Sequence, residues 1–132
     1  MPGLPDRYFI DEKMLSVGYA LNAVRSDILY PGHDDCLDIP RGTKDSVWLR
    51  KVGQRGWAVI MRDKRIRSRP GERELLRRHH VRGFCLTGSG DQTSWEMLDL
   101  LVRQWEKVEQ HLQEFDGPFL FSITINGLRR LT

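Results

Sequence analysis

Residues 57–61 read Trp-Ala-Val-Ile-Met, five positions without a polar side chain. In a half-buried strand the side chains alternate, because successive Cβ atoms point to opposite faces. A short run with no alternation predicts a strand covered on both faces. Strands of that kind belong to parallel sheets with helices packed above and below. The run therefore demands partners on two sides, and the rest of the chain has to supply them.

Strand and helix signals alternate about every 25 residues along the 132-residue chain. Strands are expected at 7–10, 26–30, 57–61, 81–87 and 118–125. Helices are expected at 14–24, 44–56 and 71–80, the last opened by Pro70. A further helix begins after Thr93, where Thr93 and Glu96 have the spacing of a capping box. Its apolar stripe is Leu98, Leu101, Trp105, Val108 and Leu112. Gly53 or Gly56 ends the 44–56 helix. Asn126-Gly127 is a two-residue hairpin signal, so 128–131 returns as an edge strand. The expectation is one domain over 1–132: a three-layer α/β/α sandwich around a mainly parallel sheet, with a C-terminal hairpin.

Hydrophobic residues make up 39% and charged residues 30%, which fits a globular chain rather than a disordered one. No apolar run reaches the ~18 residues that span a bilayer, so no membrane is expected. The first residues lack a basic patch followed by an apolar stretch, the mark of a secretory signal. The reading is a cytoplasmic protein with free thiols at Cys36 and Cys85, a disulfide being the open alternative. Trp57, Trp95 and Trp105 are read as core residues.

The formal net charge is only +3, but it is unevenly spread. Between Arg62 and Arg82 nine Lys or Arg face three acids, a local +6, so the remainder is −3. A solvated helix face produces such runs too. Within it Asp63 stands one residue beyond the apolar strand, flanked by Arg62, Lys64, Arg65, Arg67 and Arg69.

In open parallel sheets ligands bind beyond the carboxyl ends of the strands. Asp11 follows the first strand and Asp63 the central one, while Asp45 opens a helix at the same rim. Glu12 adjoins Asp11. Gathering acids on one rim costs stability unless a cation joins them, and Mg²⁺ or Mn²⁺ takes such oxygens. Each acid also has a plain reading: Asp45 and Asp11 as helix caps, Asp63 as a turn residue, Glu72 and Glu74 as acids favoured at a helix start.

Taken together, the stretches 8–14 (YFIDEKM), 31–33 (PGH), 42–72, 81–88 (VRGFCLTG) and 117–131 resemble PIN-like domains, specifically the small bacterial group related to VapC-type toxin nucleases. The resemblance implies metal-dependent hydrolysis of RNA. It matches Asp11, Asp45 and Asp63 to the family's catalytic and metal-holding acids. Glu12, Glu72 and Asp91 are the further candidate ligands; Asp91 is the one acid in the region where larger members carry another. Arg62, Lys64, Arg65, Arg67 and Arg69 are expected to hold the RNA backbone, giving affinity and position rather than sequence choice. The expected partners are an RNA substrate, a cognate antitoxin protein and a second copy of the chain. A PIN-like module that binds without cutting is one alternative. A phosphoacceptor receiver domain is another, weakened because no lysine follows the last parallel strand.

Overall fold

The apolar run becomes a strand, β3 (Ala58–Arg62), and all five of its residues are buried. In this computed structural model, which describes residues 2–62, 70–88 and 91–132, β3 lies within one six-stranded sheet. The other strands are β1 (Tyr8–Ile10), β2 (Ile28–Leu29), β4 (Arg82–Leu86), β5 (Phe119–Thr124) and β6 (Gly127–Arg130). They stand in the order β2-β1-β3-β4-β5-β6. The first five run parallel, and β6 returns antiparallel to β5. The turn is Ile125-Asn126, one residue earlier than the Asn126-Gly127 signal placed it: Thr124 pairs with Gly127, which opens β6 at φ +128°, a value that favours glycine.

Among the described residues four helices join the parallel strands: α1 (Leu15–Val24), α2 (Asp45–Arg55), α3 (Pro70–Arg78) and α4 (Ser94–Glu114). Single-turn 3-10 segments precede α1 at Glu12–Met14 and lie in the 31–43 loop at Asp34–Cys36. The strand side chains sort onto two faces. Tyr8, Ile10, Ala58, Ile60, Phe84 and Phe121 pack with Val17 and Leu21 of α1 and Leu101, Trp105 and Val108 of α4. Phe9, Val59, Met61, Cys85 and Leu120 pack with Trp48, Leu49 and Val52 of α2 and Leu76 of α3. The absence of alternation in 57–61 is explained: Ala58 and Ile60 fill one core, Val59 and Met61 the other. Each such large side chain contributes about 1.5–3 kcal/mol by leaving water.

This distribution fixes the relative hand of the crossovers. The β2-to-β3 and β3-to-β4 connections move in one direction with their helices on one face. The β1-to-β2 connection moves the other way on the other face, so these three share a hand. The β4-to-β5 connection moves in the first direction but carries α4 on the α1 face. It has the opposite hand to the other three. Parallel crossovers are overwhelmingly right-handed, so α4 is the exception.

Local sequence accounts for several boundaries. Gly56 ends α2 in the left-handed conformation, φ +70°. Gly53, inside α2, serves close approach instead: a Cβ there would stand 2.1 Å from the backbone oxygen of His79, just beyond α3. Thr93 and Glu96 form the capping box of α4, each backbone N–H donating to the other's side chain at 3.1 Å. Cys36 and Cys85 are buried free thiols. Among the described residues no helix is long and apolar enough to cross a membrane.

Candidate active site

From β1 the chain crosses first to β2 on one side and then back to β3 on the other. The two connections leave on opposite faces, and a crevice opens at the carboxyl ends of β1 and β3. Asp11 is the first residue past β1. Its backbone N–H donates to the Ile60 carbonyl at 3.0 Å and its own carbonyl accepts from Met14 N–H at 2.9 Å. The ladder between β1 and β3 is thus extended by one bond, and the residue is held at the mouth of the crevice. Its carboxyl is half-buried, and its pKa is pushed from 3.8 up to about 6. Burial is the largest cause. The Lys13 ammonium opposes the rise, and the Asp45 carboxylate adds to it.

Asp45 is the first residue of α2, but it is not the cap: the N-cap is Lys44, which makes no side-chain capping bond. The Asp45 carboxylate accepts instead from the Trp48 indole N–H at 2.9 Å. Trp48 is buried and its ring stacks on Phe9 of β1 at 5.3 Å. The core therefore fixes the indole, and the indole fixes one oxygen of Asp45 over the rim. Glu72, in the first turn of α3, reaches the same place. Asp11, Lys13, Asp45 and Glu72 form the polar lining of one indentation, floored by Trp48, Leu49, Met61 and Leu76. Its free space is ≈ 30 Å³, room for about two water-sized occupants. An ion with a water fits, and a nucleotide base does not.

The donor set suits a hard divalent cation. It offers only carboxylate oxygens, and one of them is a half-buried carboxyl whose ionised form is disfavoured first by burial and then by a like charge. A cation relieves that cost. Among the described residues no three His, Cys, Asp or Glu side chains stand ready to hold an ion by themselves. Mg²⁺ is commonly held by one or two carboxylates, with water filling the remaining positions.

The other expected site residues fall as follows. Asp63, Lys64, Arg65, Arg67 and Arg69 lie outside the described residues. Arg62 is a correction: it is buried at 8% exposure, and its Nη1 donates to the carbonyls of Leu86 and Gly88 at 2.9 and 3.1 Å. A phosphate contact needs an exposed head group, whereas this one moors the end of β4. Glu12 accepts from the Gly42 backbone N–H at 2.6 Å, fastening the loop before α2, and does not line the indentation. Asp91 is exposed and also outside the lining. It leads into α4, on the opposite face from α2 and α3. Trp95 is a second correction, since it is 78% exposed rather than core. Trp105 is buried and Trp57 partly so. Sequence reasoning missed Lys13 and Trp48. The signals were there in Asp-Glu-Lys at 11–13, where the lysine follows the key acid by two. They were there too in Asp-x-x-Trp at 45–48, a helical i to i+3 pair.

The chain is thus a three-layer α/β domain with a carboxylate-lined indentation at the switch point of its parallel sheet. The family model described as PIN like domain matches residues 7–88, well over half the chain, and the chain belongs to the PIN-like domain family. No curated protein and no solved structure matches it. PIN-like domains are often nucleases and generally use divalent metals.

Proposed function

We propose that the chain is a metal-dependent ribonuclease that hydrolyses RNA phosphodiester bonds, and that it acts as the toxin of a toxin–antitoxin pair. One observation carries the nuclease reading. Three acids distant in sequence, Asp11, Asp45 and Glu72, line a single ion-sized indentation at the β1/β3 crevice.

Asp11 and Asp45 would hold Mg²⁺ or Mn²⁺, with Glu72 beside them. Asp63, which follows β3 directly in sequence, is the further ligand the family resemblance supplies. A divalent ion bound there supplies an activated water and offsets charge on the phosphoryl oxygens. The chain's own residues do the rest. Trp48 holds Asp45 in one orientation, and the buried floor limits the water that can enter. Lys13, exposed at the indentation's edge, is placed to meet a backbone phosphate. Lys64, Arg65, Arg67 and Arg69 follow β3 in sequence and supply the positive charge that gathers a polyanion. The strand order is shared with phosphoacceptor receivers, but Ile125-Asn126 follows β5 where those need a lysine, and β6 is added.

The test is cleavage of a fluorophore-labelled RNA in Mg²⁺ and in Mn²⁺. Asp11→Asn and Asp45→Asn should each reduce the rate at least a hundredfold while the fold is retained. Rates equal to wild type in both variants would rule out the indentation as the active site. For the toxin role, expression of the wild-type chain should arrest growth and Asp11→Asn should not. Equal growth of the two strains would reject that role while leaving the nuclease assay to stand alone.

A further inference from the structure

α4 carries two apolar stripes. One is the core stripe of Met97, Leu101, Trp105, Val108 and Leu112. The second, Trp95, Leu98 and Val102, follows the same steps of three and four along the helix's outer flank, with Leu98 half-buried against the core edge between the two exposed members. Trp95 is 78% exposed and Val102 58%. Across from it stands Ile125 of the β5–β6 turn, 81% exposed. Between them runs a groove of ≈ 630 Å³, lined by Trp95, Leu100 and Ile125 and by Glu96, Asp99 and Arg103. It is continuous with a smaller apolar hollow of ≈ 190 Å³ over Leu98 and Val102, since Trp95 and Asp99 line both. Gln104 holds the turn in place, its Nε2 donating to the carbonyls of Thr124 and Ile125 at 2.9 and 3.3 Å.

A tryptophan offers about 150–250 Å² of surface, and leaving most of it in water forgoes a large hydrophobic gain. Clustered exposed apolar side chains of this kind mark interaction surfaces. The charges say which occupant suits. Glu96 and Asp99 face the groove with Arg103 as its cation, and Arg103 is already bonded to Asp99 at 3.0 Å. The lining is therefore net negative on a chain whose formal charge is +3. Lys107, near Gly127, stands beyond the lining. An RNA strand needs cations beside its stacking aromatic, and here its phosphates would meet carboxylates. A second copy docked symmetrically would set the same acidic lining against itself.

We propose that this groove docks a partner protein through a short segment carrying a large apolar side chain next to a Lys or Arg. The apolar side chain packs between Trp95 and Ile125, with Trp95 as the energetic anchor. The cation answers Glu96 and Asp99. The site lies apart from the carboxylate indentation and does not depend on the nuclease reading.

The experiment is selection of a randomised peptide library displayed on phage against the full chain, followed by affinities of synthetic winners. Enriched peptides should share a Leu, Phe or Trp within a few residues of Lys or Arg. Trp95→Ala should weaken them at least tenfold. Glu96→Gln, which preserves the capping box, should weaken them several-fold and reduce their salt dependence. Trp95 is exposed, so an unchanged melting temperature in Trp95→Ala checks that the fold survives. Enriched peptides that are acidic, or that bind Trp95→Ala as well as wild type, overturn the proposal. So does photocrosslinking of a single-stranded RNA to Trp95. Self-association of the wild type in sedimentation, lost in Trp95→Ala, would assign the groove to a second copy and overturn it too.

Discussion

Replacing Asp11 by asparagine is expected to stabilise the fold at neutral pH while removing the proposed activity. The folded carboxyl titrates at about 6 against 3.8 for the free group. The native state thus holds this proton more tightly than the unfolded chain does. The contribution of the group is most favourable below about pH 3.8 and is lost as pH rises through 6. A difference near two units corresponds to about 3 kcal/mol above pH 7. Asp11 is half-buried and water can relax around it, so ~1–3 kcal/mol is the working range, or roughly 4–12 °C in melting temperature for a domain of this size. Asparagine keeps the shape and an acceptor oxygen but has no charge to desolvate. The assay is urea unfolding followed by circular dichroism at pH 7.5, 5.5 and 3.8, for wild type and Asp11→Asn. The variant should be more stable at pH 7.5, and the gap should shrink steadily towards pH 3.8. Millimolar Mg²⁺ or Mn²⁺ at pH 7.5 should raise the wild-type midpoint and leave the variant unmoved, because a ligand that binds only the native state stabilises it. A variant less stable than wild type at pH 7.5, or a gap independent of pH, would refute the reasoning.

Gly53→Ala should cost at least ~2 kcal/mol, because its Cβ would stand 2.1 Å from a backbone oxygen that cannot turn aside; a thermal melt measures it. The same variant should also lose RNA cleavage beyond its loss of stability, since α2 and α3 carry Asp45 and Glu72. Arg62→Met should cost ~2–3 kcal/mol in chemical denaturation by stripping two carbonyls of a charged donor, and hydrogen exchange should quicken at the end of β4, around residues 85–88. Trp48→Phe keeps the stacking on Phe9 but removes the N–H that holds Asp45. Cleavage should fall roughly tenfold, chiefly in kcat, with a stability loss of ~1 kcal/mol.

Much of the fold was legible because both covering layers leave their mark on one strand. The lack of alternation in 57–61 forced helices onto two faces, and Thr93 with Glu96 marked the start of α4 correctly. Strand ends moved by a residue or two; Trp57, for instance, lies just outside β3 and stacks over Phe9 at 6.4 Å. The stripe on α4 was less clear. Trp95, Leu98 and Val102 repeat with nearly the period of the core residues, and Leu98 sits on the margin, half-buried against the core, while Trp95, expected in the core, is exposed. Periodicity shows that a helix is apolar along a line. It does not show whether that line meets the protein or the solvent. The site showed the same division. Asp11 and Asp45 were legible from their places after a strand and at a helix start. The burial of Arg62 was not, because its partners are carbonyls 24 and 26 residues away, and a backbone oxygen has no signature in sequence.

The hand of one crossover accounts for what sequence position alone could not place. Had α4 followed the rule of the other three connections, the segment after β4 would have run over the α2 and α3 face. With α4 on the α1 face, the Ser16 and Ser94 hydroxyls, 2.5 Å apart, tie the first turns of α1 and α4 together, and Asp91 stays outside the lining of the indentation. The indentation is left with acids from the end of β1 and the starts of α2 and α3. The same crossover carries α4 to the far side of the sheet, where its buried stripe, Met97 to Leu112, covers that core along almost the whole helix. Trp95 and Val102 lie on its outer flank and stay in water. One topological choice thus limits the acids on one side of the rim and leaves an apolar groove on the other.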